Sequence, residues 1–123
     1  MIADVVFYLA FAGLITHELD AIHKHEWRIL FVLRTMPDDR ARASFVLLHV
    51  PLLAVLMIIT AYPAPNMQLW ARAALSLFMV IHAGLHTRLA KTPKYEFHTP
   101  LSRGLIYGTA AAALVYLILL LMR

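Results

Sequence analysis

The stretch THELDAIHKHEWR, residues 16–28, sets three histidines and three carboxylates within ten residues, directly after the apolar run IADVVFYLAFAGLI. Further along, HAGLH places His82 and His86 four residues apart, and His49 stands alone in FVLLHVPL. Imidazoles and carboxylates are ligands for divalent metals, and they exchange protons near neutrality. At about 100° per helical residue, His82 and His86 lie about 40° apart on one face. That is the spacing by which one helix offers two imidazoles to one ion. Cysteine is absent, which removes disulfides, thiolate metal sites and a cysteine nucleophile. Nitrogen and oxygen ligands without sulfur suit zinc first, with iron or manganese as alternatives.

The elements that carry these residues are apolar. The chain is 62% hydrophobic and 15% charged, against about 45–50% and about 25% for soluble domains. A helical membrane span needs roughly 20 mainly apolar residues. Four segments qualify, at about 2–22, 43–62, 67–90 and 104–122, and the first allows a helical continuation to about Leu33. The breaks are MPDDR, YPAPN and KTPKYEFHTP, each built from proline and turn-forming residues. Pro51, inside the second span, predicts a kink. The chain therefore reads as one integral membrane domain over residues 1–123, an all-α four-helix transmembrane bundle.

Charge sets the orientation. Lys24, Arg28, Arg34, Arg40 and Arg42 flank the first connection, and Arg88, Lys91, Lys94 and Arg103 flank the third, leaving Arg72 and Arg123 on the other side. Cytoplasmic loops carry the excess of Lys and Arg, so both termini are expected on the outer side, with the basic connections in the cytoplasm. The same rule explains the pI of 9.8 without nucleic acid, for which no motif is present. The N-terminus lacks the basic region and cleavage site of a signal peptide, so the first apolar run is expected to stay as a span. Trp27, Trp70 and Tyr95 fall near span ends, where amphipathic rings favour the interface.

On this map all seven histidines share one side. His17, His23 and His25 end span one, His49 begins span two, His82 and His86 end span three, and His98 lies in the loop beyond. Glu18, Asp20, Glu26 and Glu96 lie on the same side. His17 shares a helical stripe with Ala10, Gly13, Ala21 and Lys24, with Asp20 about 60° away. The small residues of that stripe allow close helix approach. His17, Asp20, His49, His82 and His86 are accordingly the candidate metal ligands, Asp20 as ligand or as orienter of an imidazole. Glu18 and Glu96 are the candidate general bases. His23 and His25, among Lys24, Glu26 and Arg28, read as a solvated interfacial face. Span four has no ionisable residue before Arg123, and its Gly104, Gly108 and Ala112 give a small-residue face, so the role of this span reads as packing. A lone intramembrane histidine is often a packing residue. Ionisable groups at membrane depth cost roughly 2.5–3.5 kcal/mol for Asp on insertion scales, so several from three helices at one level ask for a cation.

The string HELDAIHKHEWR, with FVLLHVPL after it, resembles an uncharacterised family of small bacterial integral membrane proteins with a His-Glu-Leu-Asp-Ala signature, from Phe7 to about His86. The resemblance implies a four-span protein of the bacterial inner membrane and supplies no activity. HAGLH alone is also similar to the boxes of membrane hydroxylases and desaturases, but the H-x-x-H-H boxes of those enzymes are absent. Three functions remain. One is a metal site of zinc type, with a metal-dependent enzyme acting on a lipid or other amphipathic substrate as its further reading. Another is a b-type haem protein with axial histidines. The last is a non-catalytic accessory or transport-related subunit, and homo-oligomers fit all three. Topology is tested by C-terminal fusion to reporters that work on one side only. The outer reporter is expected to be active, and activity of the cytoplasmic one would overturn the orientation.

Overall fold

The four apolar segments form four helices. The computed structural model describes residues 1–62 and 64–122. Pro63, in the second break, and Arg123, counted with the outer charges, lie outside the described residues. Helix α1 spans Ile2–His23, α2 Asp38–Ala61, α3 Pro65–Leu89 and α4 Pro100–Leu121. Each is long and apolar enough to cross a membrane, and no strand occurs among the described residues.

Local chemistry explains the ends. Pro65 and Pro100 open their helices, where the missing N–H would have had no partner. Thr99 Oγ1 caps α4 by accepting from the Ser102 N–H at 3.1 Å. Helix α2 begins at Asp38, before the expected span, because Arg40 and Arg42 count against a membrane span and not against a helix. Asp38 and Asp39 in its first turn favour the positive end of the helix dipole. The helix runs on through Pro51, which is exposed.

The first connection departs from expectation. Helix α1 ends at His23 and does not continue to Leu33. His25 takes a left-handed backbone, φ 52° and ψ 45°, and the chain folds back through 3-10 turns at Glu26–Arg28 and Leu33–Thr35. The physical reason is Trp27. It is fully buried, packs on Phe45 at 5.9 Å, and donates its Nε1–H to Asp38 at 3.0 Å. Burying about 200 Å² of aromatic surface is worth up to about 5 kcal/mol. That exceeds the about 1–2 kcal/mol by which an L-residue resists the left-handed region. Arg28 clamps the turn, donating from Nε and Nη2 to Asp38 at 2.8 and 3.0 Å.

Helix α1 packs mainly on α4, α4 also on α3, and α2 on α3 and the two 3-10 turns. Helices α1 and α4 approach closely at Gly13 against Thr109, where a Cβ would collide with Oγ1. The packing face of α4 is Ser102, Ile106, Thr109, Ala113 and Tyr116. Gly104 and Gly108 are exposed, with open space where a Cβ would stand. Helix α4 packs as expected, on α1 and α3, but of the Gly104, Gly108 and Ala112 face only Ala112 reaches the core, and the small residue at the close approach is Gly13, in the opposite helix. Two apolar clusters fill the bundle, Phe7, Phe11, Met79 and Tyr116 at one end and Trp27, Phe45, Tyr95 and Phe97 at the other.

The left-handed residue gives a test. His25→Val is expected to lower stability by about 1–3 kcal/mol, because a β-branched side chain is strained there. His25→Gly loses the same side chain but takes the conformation freely, so it should melt above His25→Val. The reverse order of melting temperatures in detergent would refute the backbone account.

Candidate metal centre

The end of the bundle that holds Phe97 also holds a buried polar cluster. His17 comes from α1, Glu26 from the 3-10 turn, and His82 and His86 from successive turns of α3. His82 Nε2 stands 3.1 Å from His17 Nε2 and 3.1 Å from His86 Nε2. Glu26 places Oε1 3.6 Å from His86 Nε2 and Oε2 3.9 Å from His17 Nε2. One ligand atom from each of the four lies within 4.8 Å of all the others. His17, Glu26 and His86 are 1%, 4% and 2% exposed. Phe97 covers the cluster, its ring 5.5 Å from His17 and 4.7 Å from His86.

Hydrogen bonding alone does not satisfy this arrangement. A neutral imidazole nitrogen either donates once or accepts once, so His82 Nε2 serves only one of its two neighbouring nitrogens. The other contact then sets two like groups against each other. A cation accepts all three inward lone pairs at once. With zinc–nitrogen bonds of about 2.0–2.1 Å, tetrahedral ligands stand about 3.3 Å apart, close to the 3.1 Å observed. His86 Nδ1 meets Tyr95 Oη at 3.1 Å, and an Nδ1–H that donates to this oxygen would leave Nε2 free for an ion and fix the ring. Burial, helped by Tyr107 and Glu26, pushes the Tyr95 hydroxyl up to about 12, so it stays a neutral partner. His17 Nδ1 and Asp20 Oδ2, one turn apart on α1, are buried without a hydrogen-bond partner among the described residues.

Glu26 is the electrostatic extreme. Burial, then the negative charges of Glu18 and Asp20, push its carboxyl up to about 8. Its Oε2 is likewise buried and unpartnered. A folded-state value above the ordinary 4.5 means that Glu26 favours the fold when protonated. That contribution is full below the ordinary value and is lost as pH rises toward about 8. A bound cation removes this loss by supplying the missing opposite charge.

The structure brings together three of the expected ligands, His17, His82 and His86. His49 has a different partner. Its Nδ1 donates to the Phe45 carbonyl at 2.6 Å and its Nε2 meets Glu18 Oε2 at 2.9 Å. Since a carbonyl only accepts, the Nδ1 carries a proton, and a further proton lies between Nε2 and the Glu18 carboxylate. Asp20 lies outside the four-residue group. Glu96 is half-exposed and pairs with His25 Nδ1 at 3.0 Å and Arg28 Nη1 at 3.4 Å. His98 is exposed. Sequence reasoning missed Glu26 as a ligand, because along a continuous helix it lies nine residues from His17 and so about 180° away. The left-handed turn at His25 reverses that. The neighbouring Trp27 was the available signal, since a tryptophan there pulls the chain inward.

Four helices long and apolar enough to cross a membrane, with a buried His/Glu cluster among them, define a small membrane-like helical protein with a candidate metal centre. The chain belongs to a family of unknown function (DUF6713), whose family model matches residues 3–123. No curated protein and no solved structure matches it.

Substitution separates ligands from bystanders. At a free zinc concentration a hundredfold above Kd, a bound ion stabilises by about 2.7 kcal/mol. The wild type and His23→Ala are expected to show that gain and His86→Ala to lose it. Glu26→Gln should weaken binding at least tenfold while leaving the metal-free protein no less stable, because the buried charge is gone. Equal zinc-induced shifts in melting temperature for all four proteins would dismiss the centre.

Proposed function

We propose that this protein is a metal-binding integral membrane protein whose centre is His17, Glu26, His82 and His86, with zinc as the first candidate ion. One observation carries the reading: three imidazole Nε2 atoms and one carboxylate oxygen within 4.8 Å of one another in a buried position. Tetrahedral nitrogen and oxygen ligation without sulfur suits zinc, with iron or manganese next. The ion ties α1, the Glu26 turn and α3 together. Four protein ligands make a closed site, which favours a structural or sensing role over catalysis. Glu18 and Glu96 have no part in this reading, being held by His49 and by His25 and Arg28.

Haem is not supported by the geometry. Two axial nitrogens on opposite sides of an iron stand about twice a metal–nitrogen bond apart, about 4 Å. Here they meet at 3.1 Å, with ring centroids 4.6–5.1 Å apart and edge to face. That leaves no slot for a porphyrin. The setting proposed for the protein is the bacterial inner membrane, with the centre on the cytoplasmic side. The charge split between connections supports this placement.

Metal content per chain tests the reading. Protein purified without chelator should carry about one divalent ion per chain, lose it to a strong chelator, and regain it from zinc with a rise in melting temperature. Failure to take up any divalent ion after chelation and reloading would overturn it.

A further inference from the structure

Beside the centre a cavity of about 590 Å³ opens between α1, α2 and α3. Its polarity is graded along its length. Glu26 and His82 of the cluster and the Glu18–His49 pair line one end, and beyond them the wall is entirely apolar, from Leu48 and Leu52 to Ile59. Along α2 the lining runs from Phe45 to Ile59, about 21 Å at about 1.5 Å per residue. One leaflet of a hydrocarbon core is about 15 Å deep, so the cavity is long enough for a chain from one leaflet. The length and the grading from a polar end to an apolar wall match an acyl chain joined to a polar head. Leu48, Leu52 and Phe78 are lining residues that are also exposed, so the cavity opens sideways on the face where lipid lies.

The rim supplies the matching charge. Leu33 lines both this cavity and a polar hollow of about 460 Å³ walled by Arg28, Arg34 and Lys94 with Asp38 and Glu96. Arg28 pairs with both carboxylates, which leaves the hollow a positive balance from Arg34 and Lys94.

We propose that the cavity seats one acyl chain of a membrane glycerophospholipid, its ester region at Glu26 and His82 and its phosphate at the Arg34–Lys94 rim. The inference deepens the metal reading, and rests on it only for what stands beside the ester. Chain binding and metal binding are therefore measured separately.

Trp27 is the reporter. It is 1% exposed, shielded from bulk lipid, and packs on Phe45 of the cavity wall. In a Trp70→Phe background it is the one tryptophan left of two. Reconstituted in bilayers of phosphatidylcholine brominated near the head of the chain, Trp27 should lose emission relative to unbrominated bilayers. Ala74→Phe, which fills the cavity from α3, and Leu53→Phe, which fills it from α2, should remove the loss. Leu47→Phe, on the exposed face of α2, should keep it. Metal content and melting temperature, read in every variant, confirm folding and report the centre independently. Quenching without bound metal would uphold the chain and overturn the metal reading. Unquenched Trp27 in the metal-loaded Trp70→Phe protein would overturn the proposal, as would quenching unchanged by both filling variants. Quenching by brominated stearic acid in detergent but not by the phospholipid would also overturn it, in favour of a free fatty acid. Unquenched emission with a dimer that Ala74→Phe dissociates would overturn it in favour of a second copy.

Discussion

One imidazole nitrogen held 3.1 Å from two others, beside a carboxylate and under the Phe97 ring, is a costly thing to bury. Buried polar groups stabilise a fold only when every one finds a partner, and a half-satisfied network is worse than an apolar core. Within the cluster two atoms are short of protons or of a cation: the His82 nitrogen with two claimants and Glu26 Oε2. The rest of the structure is arranged to make the convergence happen. Gly13 lets α4 approach α1, α3 presents His82 and His86 a turn apart, and the left-handed turn at His25 delivers Glu26 from below.

The opposite end of the bundle shows what a purely structural polar group looks like in the same protein. Arg72 is 7% exposed. Its Nε donates to the Thr60 carbonyl at 3.0 Å, Nη1 to Asp4 at 2.8 Å and Nη2 to Tyr8 Oη at 2.9 Å. Its guanidinium lies over the Phe7 and Tyr8 rings at 5.0 and 5.1 Å. All of these contacts come from the chain itself, and they tie α3 to α1 and α2. The fold is thus able to satisfy a buried charge when the charge serves only packing. Ser76 Oγ and Thr109 Oγ1 are also buried without a hydrogen-bond partner among the described residues, so what points to an ion is the convergence of three imidazoles and Glu26 on one point.

Hydropathy made the four helices legible, because apolar length is a property of sequence alone. The pairing of His82 with His86 was legible for a similar reason: four residues along one helix fix their relation without tertiary contacts. His17 joined them through its place on a stripe with Ala10 and Gly13. Glu26 and His49 were illegible for opposite reasons. The position of Glu26 depends on the sign of one backbone angle, at a histidine and not at a glycine, and a helical wheel drawn through that point puts it on the wrong face. His49 has the right depth, but its bond to Glu18 depends on how far α2 stands from α1, which no periodicity encodes. Gly104 and Gly108 misled because a small-residue face records where close packing is allowed, while burial of Thr109 and Ala113 records where it occurs.

The position of α2 is where these strands meet. It is held by its apolar contact with α3, by Phe45 against Trp27, and by polar contacts along its length. At its first residue Asp38 receives Trp27 and Arg28, at mid-helix His49 meets Glu18, and near its end the Thr60 carbonyl receives Arg72. Between those points the cavity separates it from α1. Phe7, Met79 and Tyr116 pack mainly among α1, α3 and α4, with Leu56 of α2 beside them. The candidate centre draws no ligand from α2, which instead walls the opening beside Glu26 and His82. Candidate ligation is thereby the work of α1, the Glu26 turn and α3, and Glu18–His49 is the single side-chain hydrogen bond between α1 and α2 among the described residues.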